Sequence, residues 1–193
     1  MRLRSRSCGG YSLVEVLVAV FVLAVGIFGA AATQLAALRT RHQSSLMSDG
    51  VQLASALADS MRANLEPMRS ADAGNPYLQL NYDAATDGPP LSTGAHCLPG
   101  AACSAVQLAE AELYRLKQSL HAGFPGGRVM VCRDSQVWDA ARAALRWSCG
   151  GAPPAPIVIK LGWRGKDNDG SDALDGAGEF APSVAIAMPG ALE

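Results

Sequence analysis

The sequence predicts an α+β protein in which a long N-terminal helix packs against a small antiparallel sheet. Three observations carry that expectation. An uncharged, almost wholly apolar run covers Val16–Leu38, and an amphipathic stripe continues from it to about residue 65. Alternating apolar residues then recur at 157–163 and 184–188, the pattern of strands.

The apolar run comes first. At 1.5 Å per residue its roughly 23 positions make a helix of about 34 Å, enough to cross the hydrocarbon core of a bilayer. The segment before it is short and basic, with Arg2, Arg4 and Arg6 and no acid. That flank is expected on the cytoplasmic side and the rest of the chain outside, although Arg39 and Arg41 reduce the asymmetry. Glu15 stands at the edge of the run, where an ionised carboxylate in lipid costs several kcal/mol. Either it stays wet at the headgroup level or it has a dedicated cationic partner. A conventional secretory signal with cleavage near Ala30-Ala31-Ala32 is a rival, but a glutamate opening the apolar region and the unbroken helical pattern past Ala32 speak against it.

Gly10-Tyr11-Ser12-Leu13-Val14-Glu15-Val16-Leu17-Val18-Ala19 resembles the class III signal of type IV pilins and of the pseudopilins of type II secretion. The resemblance implies cleavage after Gly10 by a prepilin peptidase and methylation of the new amino terminus on Tyr11, where the family usually has Phe. It also implies that Glu15 pairs with the N-terminal amine of a neighbouring subunit in a filament. A charge pair in low dielectric is strong and its loss costly.

Beyond the span, Leu35, Leu38, Leu46, Leu53, Leu57, Met61 and Leu65 form the amphipathic stripe, with Asp49, Asp59, Arg62 and Asn64 off it. Glu66-Pro67 is expected to close the helix. Gly26, Gly29 and Gly50 each weaken it by about 1 kcal/mol relative to alanine, and Gly26 and Gly29 suit close packing between helices. Pro67 to Gly100 reads as a loop region tacked to the core by Tyr77, Leu78, Leu80 and Tyr82. A second helix is expected over Ser104–His121, with Ser104 and Gln107 as a capping box and Val106, Ala109, Leu113, Leu116 and Leu120 as its buried face. Strands follow at Val129–Val131, at Leu145–Trp147, and in a hairpin of 157–163 with 184–188 whose first strand has one covered face.

Of five cysteines, Cys8 precedes the span, and Cys97, Cys103, Cys132 and Cys149 follow it. Four cysteines outside a membrane read as two disulfides in an oxidising compartment. Three pairings exist, and Cys97–Cys103 with Cys132–Cys149 is expected because each bridge brackets one local loop. A zinc site needs closer Cys/His clusters than His96 beside Cys97 supplies.

Enzyme chemistry finds little to stand on. The sequence has no G-x-S-x-G, no H-E-x-x-H and no phosphate-binding glycine loop. His42, His96 and His121 each have a simpler role, that of His121 being a charge at a helix C-terminus. A formal net charge of −1 and 6% aromatic residues exclude a nucleic-acid footprint. Asp167, Asp169 and Asp172 are weak calcium candidates in an Asp/Asn/Gly-rich turn, but the EF-hand frame places Gly165 and Gly176 at its first and last ligand positions. No cofactor is expected.

Met61-Arg62-Ala63-Asn64, with the cysteines and the hairpin, resembles minor pilins of the PilV type. The organisation expected is therefore a leader over 1–10, a transmembrane or filament-core helix over 11–38, its amphipathic continuation over 39–66, and a periplasmic head over 67–193. The resemblance implies a non-enzymatic minor pilin that helps to initiate a type IV pilus at or near its tip. Its partners would be the prepilin peptidase, the major and other minor pilins, and the inner-membrane assembly platform. It would reside in the inner membrane and then in the pilus. A type II secretion minor pseudopilin is the near alternative. A secreted disulfide-bonded enzyme or binding domain is the alternative from another class.

Overall fold

A computed structural model describes residues 10, 12–92, 97, 102–167 and 170–188. Helix α1 spans Leu13–Ala63 without interruption, followed by α2 at Leu65–Arg69, β1 at Asn81–Asp83 and α3 at Ala105–Gly123. Then come β2 at Arg128–Arg133, β3 at Trp138–Asp139, β4 at Ala144–Leu145, β5 at Ile157–Gly162 and β6 at Val184–Met188. Contacts divide the chain into two compact units with the boundary between His42 and Gln43.

The first unit contains the apolar part of α1. From Leu13 to His42 every residue is exposed except the half-exposed Ala24. A helix coated in exposed Leu, Val and Phe is stable only where the solvent is itself apolar.

The second unit is a four-stranded antiparallel sheet in the order β1-β2-β5-β6, covered on one face by helices. Leu46, Ala54, Leu57, Ala58 and Met61 of α1 join Leu113, Leu116 and Leu120 of α3 over Val129, Val131, Ile157, Ile159 and Leu161 of the sheet. Gly50 is a point of close approach. A Cβ built there would stand 2.8 Å from the Trp163 ring, so only glycine lets α1 come this near. The expected stripe therefore holds from Leu46 to Met61, with Leu53 half-buried, whereas Leu35, Leu38 and Leu65 are exposed.

The helix ends at Ala63, before the Glu66-Pro67 position. Asn64 leaves helical geometry (φ −100°, ψ 74°) because its side chain is spent on the fold. Its amide donates to the Ala105 carbonyl at 2.7 Å and to the Tyr77 hydroxyl at 3.3 Å. Pro67 instead lies in the first turn of α2, where a missing N–H costs nothing. In α3 the capping box forms reciprocally, Gln107 N donating to Ser104 Oγ at 3.2 Å and Ser104 N to Gln107 Oε1 at 2.9 Å. Val106 is exposed and Ala111 buried, since the packed face begins only at Ala109.

β5 and β6 pair antiparallel from Ile157↔Met188 to Leu161↔Val184, the hairpin expected from their alternation. The segment expected only to tack down a loop forms a strand, with Asn81, Tyr82 and Asp83 opposite Met130, Val129 and Arg128. Leu145 contributes to a separate two-stranded ribbon, Trp138↔Leu145, and Trp147 lies beyond it.

The expectation of one covered face on β5 fails, because all six of its residues are buried. Ile157, Ile159 and Leu161 enter the helix-covered core. Val158 and Lys160 point the other way, beneath the excursion of residues 134–150. Lys160 there meets Asp134 at 2.6 Å and the Ser148 carbonyl at 2.7 Å.

Candidate functional site

The segment with functional chemistry is the start of α1. Ser12 occupies the cap, and its carbonyl accepts from Glu15 N at 3.0 Å and Val16 N at 3.3 Å. Glu15 is the third helical residue. Its Oε2 reaches back 3.1 Å to the Ser12 amide, the carboxylate half of a capping box. The carboxylate thus satisfies one backbone donor and sits where the helix dipole favours a negative charge. Among the described residues no cation lies against it. Gly10 is exposed, with nothing within 4 Å of where a Cβ would point, so its backbone is open to an approaching enzyme. Tyr11, the leader residues 1–9 and Cys8 lie outside the described residues.

The helix that follows is made for an apolar medium. One 18-residue window of α1 has a mean hydropathy of 2.7 and none of it is buried, so α1 is long and apolar enough to cross a membrane. The hydroxyls of Thr33 and Thr40 donate to the carbonyls of Ala30 at 2.9 Å and Ala36 at 3.1 Å. Such back-bonding satisfies a polar side chain without water. Gly26 and Gly29 have no neighbour within 4 Å, so any close packing there requires a second chain.

The other candidate residues are structural. Cys97 is bonded to Cys103 and Cys132 to Cys149, with Cα atoms 5.9 and 6.2 Å apart. The second bridge ties β2 to the far end of the excursion that covers Lys160. In the acidic turn, Asp172 is paired with Lys166 at 2.6 Å, and the Asp167 amide donates to the Ser171 carbonyl. Asp169 lies outside the described residues, and among those described no group of three His, Cys, Asp or Glu is placed to hold a metal. Nδ1 of His121 is 3.2 Å from the Tyr82 hydroxyl, which donates to the Gly88 carbonyl at 2.7 Å. His96 lies outside the described residues.

Among the described residues, the ion pairs that the sequence did not announce include Arg133–Asp72 and Lys160–Asp134. Arg133 clasps Asp72 through two bonds of 2.6 and 2.9 Å, and this guanidinium holds the Asp72 carboxyl below its ordinary range. Asp134 is wholly buried. Burial pushes its carboxyl up, but the Lys160 ammonium and the amides of Gln136 and Gly150 outweigh that and bring it below the usual carboxylate value. A lysine inside the run Ile157-Val158-Ile159-Lys160-Leu161 was the available signal, since a charge on a covered strand needs a partner.

Residues 5–31 match the family model described as the prokaryotic N-terminal methylation motif. No curated protein and no solved structure matches the chain. Such a motif implies processing by a prepilin peptidase, and the bare apolar helix beside it is consistent with a membrane anchor. Pilin-like proteins are generally structural rather than enzymatic. The chain carries a prepilin-type N-terminal motif on a pilin-like α+β architecture, a long apolar helix whose later turns pack on a four-stranded antiparallel sheet.

Proposed function

We propose that this chain is a minor pilin of a type IV pilus, similar to the PilV type, and that it acts in starting assembly at or near the tip. The observation that carries the proposal is the conjunction at the N-terminus. A methylation motif over residues 5–31 runs into an unburied apolar helix with one carboxylate, Glu15, at its first turn. Cleavage after Gly10 places the new amine on Tyr11, four residues before Glu15. In a filament the apolar helices exchange lipid for one another, and the Glu15 carboxylate of one subunit receives the terminal amine of the next. Both charges then leave water together, which is what makes the pair strong and its absence costly. Within the PilV-like stretch Met61 is fully buried and Asn64 locks the helix end to α3.

Mass spectrometry of the chain from its native host tests the processing step. A mature product starting at N-methylated Tyr11 is expected, and a start near Ala32 would overturn it. Gly10→Val should leave the leader attached, because a side chain blocks close approach to the backbone. Deleting the chain should lower the yield of sheared surface pili. Unchanged pili with loss of type II secretion would move the chain to a pseudopilus.

A further inference from the structure

A second site lies at one end of the sheet, where Arg128 opens β2 and Arg164 follows β5. The Arg128 guanidinium stands 4.4 Å over the Trp147 ring, and that of Arg164 lies 5.6 Å from the Phe180 ring. The two rings are tied together, since the Trp147 indole N–H donates to the Phe180 carbonyl at 2.8 Å. Glycines make room for both arginines' seats. Gly126, at φ +53°, would place a Cβ 2.7 Å from Arg164 Cδ, and Gly162 would place one 3.0 Å from Trp147 Cζ2. Arg128, Arg164, Asp83 and Glu179 line one open cavity of about 350 Å³, the size of a small-ligand site.

One donor in this cavity is unspent. Among the described residues, Arg128 Nε is the buried side-chain nitrogen without a hydrogen-bond partner. Asp83 faces Arg128 across the β1–β2 register, yet its Oδ1 accepts from the Ala85 amide and no ion pair forms between them. Glu179 is paired instead with Arg142 at 3.0 Å. A guanidinium stacked on a ring keeps its edge N–H groups free, and their fork matches a carboxylate.

We propose that this cavity binds a ligand bearing a carboxylate on a polyhydroxylated ring, the chemistry of an acidic sugar. The carboxylate takes the guanidinium edges, and ring hydroxyls donate to Asp83 and Glu179. Those two acids set the class, because a bare anion would meet them as repulsion and a neutral sugar would leave the arginines unmet.

The full chain in detergent micelles is titrated with glucuronate while the Trp147 indole N–H resonance is followed. A saturable shift with a midpoint in the roughly millimolar range is expected for so small a ligand. Arg128→Gln and Arg164→Gln should each raise the midpoint at least tenfold, and glucose and inorganic phosphate should give no saturable shift. Absence of saturation with glucuronate overturns the proposal, as does an equal response to glucose or to phosphate. Arg164 is exposed, so Arg164→Gln folds whatever becomes of Arg128→Gln, and an unchanged midpoint in Arg164→Gln overturns the site by itself.

Discussion

Lys160 Nζ lies 2.6 Å from Asp134 Oδ2 with both side chains fully buried, on the face of the sheet opposite the helices. The two ends of this pair are not equally supported. Asp134 also accepts from the amides of Gln136 at 3.0 Å and Gly150 at 3.3 Å and from Arg146 at 3.4 Å. Among the described residues, Lys160 has only the Ser148 carbonyl besides. Removing one partner of a buried pair costs about 3–5 kcal/mol. Asp134→Ala should therefore fall at the upper end of that range and Lys160→Met at or below the lower end. Denaturant melts of the chain in detergent check the order, and a larger loss for Lys160→Met would contradict this account of the network.

The same carboxylate, with Asp72, gives the fold an acid limit. Both carboxyls are held below their ordinary range, Asp134 by Lys160 and backbone amides against the pull of burial, Asp72 by Arg133. A depressed carboxyl stabilises the folded state above the unfolded value of about 3.9 and loses that contribution as pH falls through the folded value. Stability should thus be flat in these groups from pH 8 to about 5 and decline below about 4. Asp134→Asn should make the acid decline shallower while lowering stability at neutral pH. Melting temperatures across the pH range measure both effects.

Gly50 lies at a close helix–sheet contact, so Gly50→Ala sets helix propensity against sterics. Alanine gains about 1 kcal/mol of propensity. Its methyl would stand 2.8 Å from a buried Trp163 ring that also packs on Phe124 at 5.3 Å. Overpacking of this kind costs about 1–3 kcal/mol. A net loss of stability is expected, measured as a lower denaturant midpoint, whereas Gly26→Ala meets no neighbour, keeps the propensity gain and should not lower the midpoint.

Most of this architecture was legible because local chemistry and tertiary structure agree. Ser104 with Gln107 caps α3 as their spacing requires, and the alternation in 157–163 and 184–188 pairs as a hairpin. What could not be read depended on distant partners. Asn64 ends α1 because Tyr77 and Ala105 wait for its amide. Asn81–Asp83 is too short to show a period, and it becomes a strand by lying beside β2. Lys160 breaks the rule that a polar residue in an alternating strand faces water, since a disulfide-tied excursion brings Asp134 over it. Ser12 and Glu15 stand at the S-x-x-E spacing of a capping box, so the local use of Glu15 is written in the sequence beside its cost in lipid.

The disulfides should contribute unequally. Cys132–Cys149 closes a loop with sequence separation 17, Cys97–Cys103 one with separation 6. Chain-entropy arguments give about 3 kcal/mol for a loop of roughly 15 residues and less for a shorter one. The first bridge also holds down the segment that buries Lys160. Cys132→Ala/Cys149→Ala should lower the melting temperature more than Cys97→Ala/Cys103→Ala. Equal effects would mean that the excursion is held by its side-chain network alone.

Glu15 has two uses that a single substitution would confuse. In the isolated chain its carboxylate caps the Ser12 amide at 3.1 Å, and in the proposed filament it neutralises a neighbour's terminal amine. Glu15→Gln separates them, because the amide oxygen still accepts from Ser12 as glutamine does in a capping box, while the charge is gone. Glu15→Val removes both. Cleavage after Gly10 and residence in the membrane should survive in either variant, and insertion should be easier without the cost of a charge in lipid. If the charge docks the neighbour, both variants should fail alike to co-purify with other pilins and should lower the yield of sheared pili. If the residue only starts the helix, Glu15→Gln should assemble normally and Glu15→Val alone should fall. Parallel loss in the two variants, with leader cleavage intact by mass spectrometry, is the expected result.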